Sequence, residues 1–146
     1  MQMDRAFIQK TIPHRPPMLL VDTVEEMEPG VRIVTRFHVA PDWSIFEGHF
    51  PGAPVLPGIY TVECMGQAAD LLLLNDARYT GTTPLLIGIQ NVRFSSKVAP
   101  GDTLEVHAKI LCERREKGIV TCTAVVYNLT DENKACCTGE VTLAMR

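Results

Sequence analysis

The chain has 146 residues, 46% of them apolar, and a formal charge of -3. That length fits one domain and that apolar fraction excludes a mainly disordered chain. The slight acidic excess argues against a general nucleic-acid binder, and the apolar runs, residues 71–74 among them, are far too short to span a bilayer.

The N-terminal stretch MQMDRAFIQKTIPHRPP has no long apolar run and does not read as a signal peptide; a cytoplasmic protein is expected. The five cysteines, Cys64, Cys112, Cys122, Cys136 and Cys137, are odd in number and form no CxxC pair. Zinc-ligand spacing and a disulfide framework are therefore not expected, and reduced thiols are. Adjacent Cys136 and Cys137 would point to opposite faces of a strand, a poor arrangement for bonding to each other.

Residues 4–11 are predicted to form a short helix stopped by Pro13. His14-Arg15-Pro16-Pro17 is predicted extended or turned, because each proline biases its predecessor away from helix. Residues 18–28 read as a strand, and Pro29-Gly30 is a turn signal. Val31, Ile33, Thr35, Phe37 and Val39 then alternate with Arg32, Val34, Arg36 and His38, a strand with one mostly apolar face. Residues 40–57 carry Pro41, Pro51, Pro54 and Pro57 with Gly48 and Gly52 between them, a long stiffened loop. Pro57 suits the first turn of a helix, where its missing N–H costs nothing. Residues 58–77 contain no further proline and are apolar nearly all round, which marks a helix buried in a core. After a turn at Thr80-Gly81-Thr82, strands are predicted over residues 85–98, around 104–110, over 119–129 and over 135–145, joined mainly by hairpins. Two strands, one long buried helix and about four more strands describe an α+β architecture: an antiparallel sheet wrapped around one central helix. Residues 1–146 form a single domain on this reading.

The chemistry concentrates between Gly48 and Gln67. His49 lies in the Gly/Pro-rich loop, a titratable base in a segment that prolines hold still. The plainer alternative is a histidine that caps a turn. Glu63 falls within the apolar helix, where a charged carboxylate carries a large desolvation cost unless it has a partner, a raised pKa or a functional pocket. A partly exposed helix edge is the other reading. Gln67, four residues on, shares its helix face and could fix the carboxyl. Gly58 opens the helix; its N–H has no internal acceptor and the helix dipole is positive there, so a carbonyl oxygen would be polarised as in an oxyanion hole. An ordinary helix start is the alternative. His38 and His107 lie on the polar phase of strands, and His14 has no evident acid partner. No nucleophile elbow and no Gly-rich phosphate loop is present.

The segments IPHRPPMLLVD, FEGHFPGAPVLPG, VECMGQ and RFSSKVAPGDTL, in this order over nearly the whole chain, resemble the beta-hydroxyacyl-acyl carrier protein dehydratases of the FabZ type. The resemblance implies a hotdog fold, in agreement with the periodicity. It implies dehydration of a (3R)-hydroxyacyl-acyl carrier protein to the trans-2-enoyl form in fatty-acid elongation, with no cofactor and no metal. On it, His49 matches the catalytic histidine and Glu63 the catalytic acid, kept protonated by apolar surroundings; the sister FabA type has aspartate there. Gly58 matches the glycine whose N–H binds the thioester carbonyl, and Gln67 the glutamine that orients the acid. It also implies a homodimer in which His49 of one subunit meets Glu63 of the other, commonly assembled as a trimer of dimers. The partner is an acyl carrier protein bearing a hydroxyacyl-phosphopantetheine, with Arg93 and Lys97, and Arg114 or Arg115, as candidate contacts to its acidic surface.

Tyr60, Thr61, Cys64 and Gly66 depart from the family's usual residues on the helix. Ser95 and Ser96 stand where basic residues are frequent. A hotdog-fold thioesterase, a dehydratase that also moves the double bond, and a non-catalytic acyl-carrier binding module are the competing readings; the presence of both His49 and Glu63 argues against the last.

Overall fold

A computed structural model describes residues 3–146 of the chain. The expected short helix is α1 (Arg5–Thr11), capped by Asp4, whose carboxylate accepts the Phe7 N–H at 3.1 Å. Strands β1 (Thr23–Glu28) and β2 (Arg32–His38) follow, then the central helix α2 (Gly58–Leu74). Strands β3 (Pro84–Phe94), β4 (Thr103–Arg114), β5 (Ile119–Asn128) and β6 (Lys134–Met145) complete the chain. All six strands form one antiparallel sheet in the order β1-β2-β4-β5-β6-β3.

The sheet curls around α2. Along β5 every second residue is buried, Val120, Cys122, Ala124 and Val126 all facing inward, as a period-two pattern requires. On α2, Cys64, Met65, Ala68, Ala69, Leu71, Leu72 and Leu73 are wholly removed from solvent. The helix is thus the core, and the sheet supplies its wall. All five cysteines are free; burial pushes the thiols of Cys136 and Cys137 up to about 11, which keeps them protonated and unreactive.

Two expected strands are shorter than their sequence pattern. Residues 18–21 do not pair in the sheet; the Leu20 N–H is taken by the side chain of Gln67, so this segment lies across α2, and pairing with β2 opens where the Asp22 N–H donates to the Arg36 carbonyl at 2.8 Å. The strand expected over residues 85–98 ends at Phe94, beyond which the Val98 carbonyl accepts the Leu56 N–H and ties this loop to the start of α2. Val31 was expected on the inward phase of β2 but is exposed, because it precedes the strand in the Pro29-Gly30 turn. The helix begins at Gly58 as expected, with Pro57 extended at ψ 132° as its cap, but ends at Leu74, short of the expected residue 77.

Two buried glycines contrast in the space around them. A Cβ on Gly139 would lie 2.7 Å from Val92 and 3.1 Å from Met65, so β3, β6 and α2 meet at a spacing no side chain there would allow. Gly66 is the opposite case: it is buried in the middle of α2, yet a Cβ built there has nothing within 4 Å. The Gly66→Ala variant is therefore expected to be more stable by about 0.5–1 kcal/mol, the usual gain from restricting a mid-helix glycine, read as a higher urea midpoint at unchanged slope.

The sheet has two edges of opposite character. Beside β1 lie Glu26, Glu28 and Arg32, linked by ion pairs. Edge strand β3 instead exposes Leu85, Leu86, Ile87, Ile89 and Phe94. A long apolar edge with unpaired backbone is a template for pairing with another chain.

Candidate active site

The loop ahead of α2 is held by its own backbone. Phe50 and Ala53 exchange N–H···O bonds of 3.2 and 2.9 Å, and the Val55 N–H donates to the His49 carbonyl at 3.0 Å. The His49 side chain closes the same turn: its Nδ1 lies 2.7 Å from the Val55 carbonyl oxygen. A carbonyl can only accept, so Nδ1 carries the hydrogen and Nε2 of the neutral ring is left with a free lone pair. The imidazole also stacks on Phe50, with ring centroids 3.9 Å apart. His49 therefore does cap a turn, and the cap itself fixes the tautomer a base needs. Trp43 packs edge-on against Phe37, Phe46 and Tyr60, which anchors the loop to the first turn of α2. Tyr60, one of the unusual positions, thus serves this packing.

Glu63 and Gln67 sit one helical turn apart on α2, and the Gln67 amide donates to Glu63 Oε2 at 2.8 Å. Gln67 is itself pinned: its Nε2 also donates to the Met18 carbonyl at 2.7 Å, and its Oε1 accepts the Leu20 N–H at 2.9 Å. It is fully buried, so segment 18–20 acts as a clamp that orients the glutamine and, through it, the Glu63 carboxyl. Glu63 is 26% exposed within the single chain. It stands in the wall of an apolar groove of about 520 Å³ that runs between α2 and β3, lined also by Gly58, Ile59, Val62, Leu86, Ile89 and Phe94.

Gly58 lines this groove at the start of α2. A Cβ there would come within 2.7 Å of the Phe94 ring, so only glycine leaves the helix start open beneath that ring. Lys97 lines a second groove that shares Gly58 and Phe94 with the first. Arg93 and Lys97 are both exposed. Among the described residues no hydrogen bond or ion pair joins His49 to Glu63 of the same chain.

The structure adds two residues that the sequence pattern did not reveal. His14, expected to lack an acid partner, has its Nε2 3.7 Å from Glu63 Oε2 and 3.8 Å from Asp70 Oδ2. Asp70 follows Glu63 by seven residues and so lies on the same helix face. Burial, and then the charge on Glu63, push its carboxyl up to about 8. The i, i+4, i+7 spacing of Glu63, Gln67 and Asp70 was available in the sequence; the return of His14 across the helix was not. Among the described residues no group of three or more His, Cys, Asp or Glu side chains could hold a metal ion, and no helix is long and apolar enough to cross a membrane.

An antiparallel sheet rolled around one helix, with a histidine loop before that helix and a glutamate in its second turn, defines a hotdog-fold domain. The FabA-like domain model matches residues 12–137, and the chain belongs to that family. The chain is 38% identical over 140 residues to the 3-hydroxyacyl-acyl-carrier-protein dehydratase FabZ of Lactiplantibacillus plantarum, covering 96% of this chain and 92% of that one. It is 40% identical over 138 residues to the protein of the same name in Clostridium perfringens, covering 94% and 95%. Among solved structures, the dehydratase heterocomplex ApeI:P from Xenorhabdus doucetiae superposes with a TM-score of 0.75 at 17% identity, covering 95% of this chain and 90% of that one. Zebra fish thioesterase superfamily member 2 superposes with a TM-score of 0.71 at 17% identity, covering 97% and 95%. At such identities these two structures speak to the fold alone, and both bear out the hotdog architecture.

Proposed function

We infer that this chain is a 3-hydroxyacyl-acyl-carrier-protein dehydratase of fatty-acid biosynthesis, removing water from a (3R)-hydroxyacyl thioester to give the trans-2-enoyl thioester. The observation that carries this reading at the site is Glu63, oriented by Gln67, in the wall of an apolar groove that Gly58 also lines. The groove supplies apolar walls for an acyl chain. Gly58 and Glu63 along it supply two of the groups that the elimination demands.

The difficult step is removal of a proton beside the thioester carbonyl. His49 takes it on Nε2, since Nδ1 is committed to Val55. Negative charge then develops on the carbonyl oxygen, and the Gly58 N–H at the positive end of α2 stabilises it. Glu63 gives a proton to the departing hydroxyl, which leaves as water. His49 is fixed to its own loop by Val55 and Phe50, while Glu63 lies on the groove beside edge strand β3. A second copy paired along the apolar β3 edge covers the exposed Leu and Ile side chains and brings the partner's loop to the groove. On this reading the working site lies at a homodimer interface, with Arg93 and Lys97 as contacts for the acidic carrier protein. Dimers assemble further into a trimer of dimers on this reading.

The test is incubation with 3-hydroxyacyl-acyl carrier protein of several chain lengths. The expected product is the trans-2-enoyl thioester with no free carrier thiol. Free thiol would mark a thioesterase instead, a 3-enoyl product would mark a dehydratase that also isomerises, and binding with no water elimination would reduce the chain to a binding module.

A further inference from the structure

The dehydration as described leaves Asp70 unused. Its carboxyl is 7% exposed, its Oδ1 has no hydrogen-bond partner, and it occupies the deep end of the face that carries Glu63 and Gln67. Nature rarely leaves a buried carboxyl half-satisfied without a reason. His14 stands between the two acids, its Nε2 nearly equidistant from Glu63 and Asp70 at 3.7 and 3.8 Å, and its Nδ1 is likewise buried without a partner. Both gaps are about an ångström longer than a hydrogen bond, short enough for the ring to lean toward either acid. Gln67 is fully engaged by Met18, Leu20 and Glu63, so it is not available to satisfy Asp70.

We propose that Asp70, reached through His14, is a positioning residue for the dehydration: it keeps a proton inside the Glu63 cluster, from which Glu63 is reloaded after it protonates the leaving hydroxyl. This rests on the reading of Glu63 as the acid. The proton count closes. The Asp70 carboxyl gives its proton to the lone pair of His14 Nε2, and the same nitrogen passes it to the Glu63 carboxylate. Asp70 is left ionised, and solvent at the exposed edge of His14 returns a proton to it. His49 meanwhile releases to solvent the proton it took from the substrate carbon, so no net proton is consumed. The other titratable groups near Asp70 do not compete for the role. The Cys122 thiol on β5 is pushed up to about 12 by burial and by the charge of Asp70, and burial keeps the Cys64 thiol on α2 protonated as well.

The experiment is the pH profile of kcat for Asp70→Asn, which keeps the size of the side chain and removes its proton. The expected result is a fall of about tenfold or more in kcat, with KM unchanged and the alkaline limb of the profile moved to lower pH. His14→Gln should reproduce it. An Asp70→Asn profile that superimposes on the wild type overturns the proposal. If Glu63→Gln is also as active as wild type, the reading of Glu63 as the acid fails; if Glu63→Gln is inactive and Asp70→Asn is not, the proposal alone fails. Should Asp70→Asn not fold, carbon NMR of aspartate-labelled wild-type protein decides. A carboxyl titrating at about 8, and at lower pH in Glu63→Gln, is expected. Absence of any aspartate titrating above neutrality overturns the proposal.

Discussion

His49→Ala is expected to lower kcat for dehydration by about 10²–10⁴-fold, the range typical of a single proton-transfer group. The fold should survive, because the loop does not depend on the imidazole for its shape. The backbone bonds between Phe50 and Ala53 and between Val55 and His49 involve main-chain atoms that alanine retains. What disappears is the Nε2 lone pair and the Nδ1 contact to Val55 that aims it. Circular dichroism and oligomeric state should be unchanged while turnover of a 3-hydroxyacyl thioester collapses. Near-normal turnover would remove His49 from the chemistry.

Glu63→Gln is expected to cost a similar factor for the complementary reason. A glutamine oxygen still accepts the Gln67 amide, so the clamp from segment 18–20 through Gln67 stays intact and only the transferable proton is lost. The two variants together test the dimeric site. If His49 of one subunit serves Glu63 of the other, a heterodimer of His49→Ala and Glu63→Gln chains contains one wholly wild-type site and one doubly defective site. Random exchange makes half of the dimers mixed, so mixing two inactive proteins should restore about a quarter of wild-type activity. A site complete within one chain would give no recovery, since every chain would carry a lesion.

Much of the architecture is legible in the sequence, because periodicity is a local property. The alternation in β5 and the proline-free apolar run of α2 dictate which element forms, and hydrophobic burial then requires the sheet to wrap the helix. The strand ends were less legible. Residues 18–22 have the composition of a strand, but Leu20 spends its N–H on Gln67, forty-seven residues away in the chain, and nothing local announces that bond. Phe94 likewise ends β3 where the chain turns toward the start of α2.

The candidate site divides in the same way. The sequence by itself determined the residue types and their local spacing: His49 in a proline-stiffened loop, Gly58 at a helix start, and Glu63 and Gln67 on one helix face. Those follow from turn chemistry and the 3.6-residue period. Only the tertiary structure decided which nitrogen of His49 is free, that Phe94 overhangs Gly58, and that His14 returns between Glu63 and Asp70. These are contacts between segments distant in the chain, set by how the sheet packs on the helix, and no local pattern encodes them.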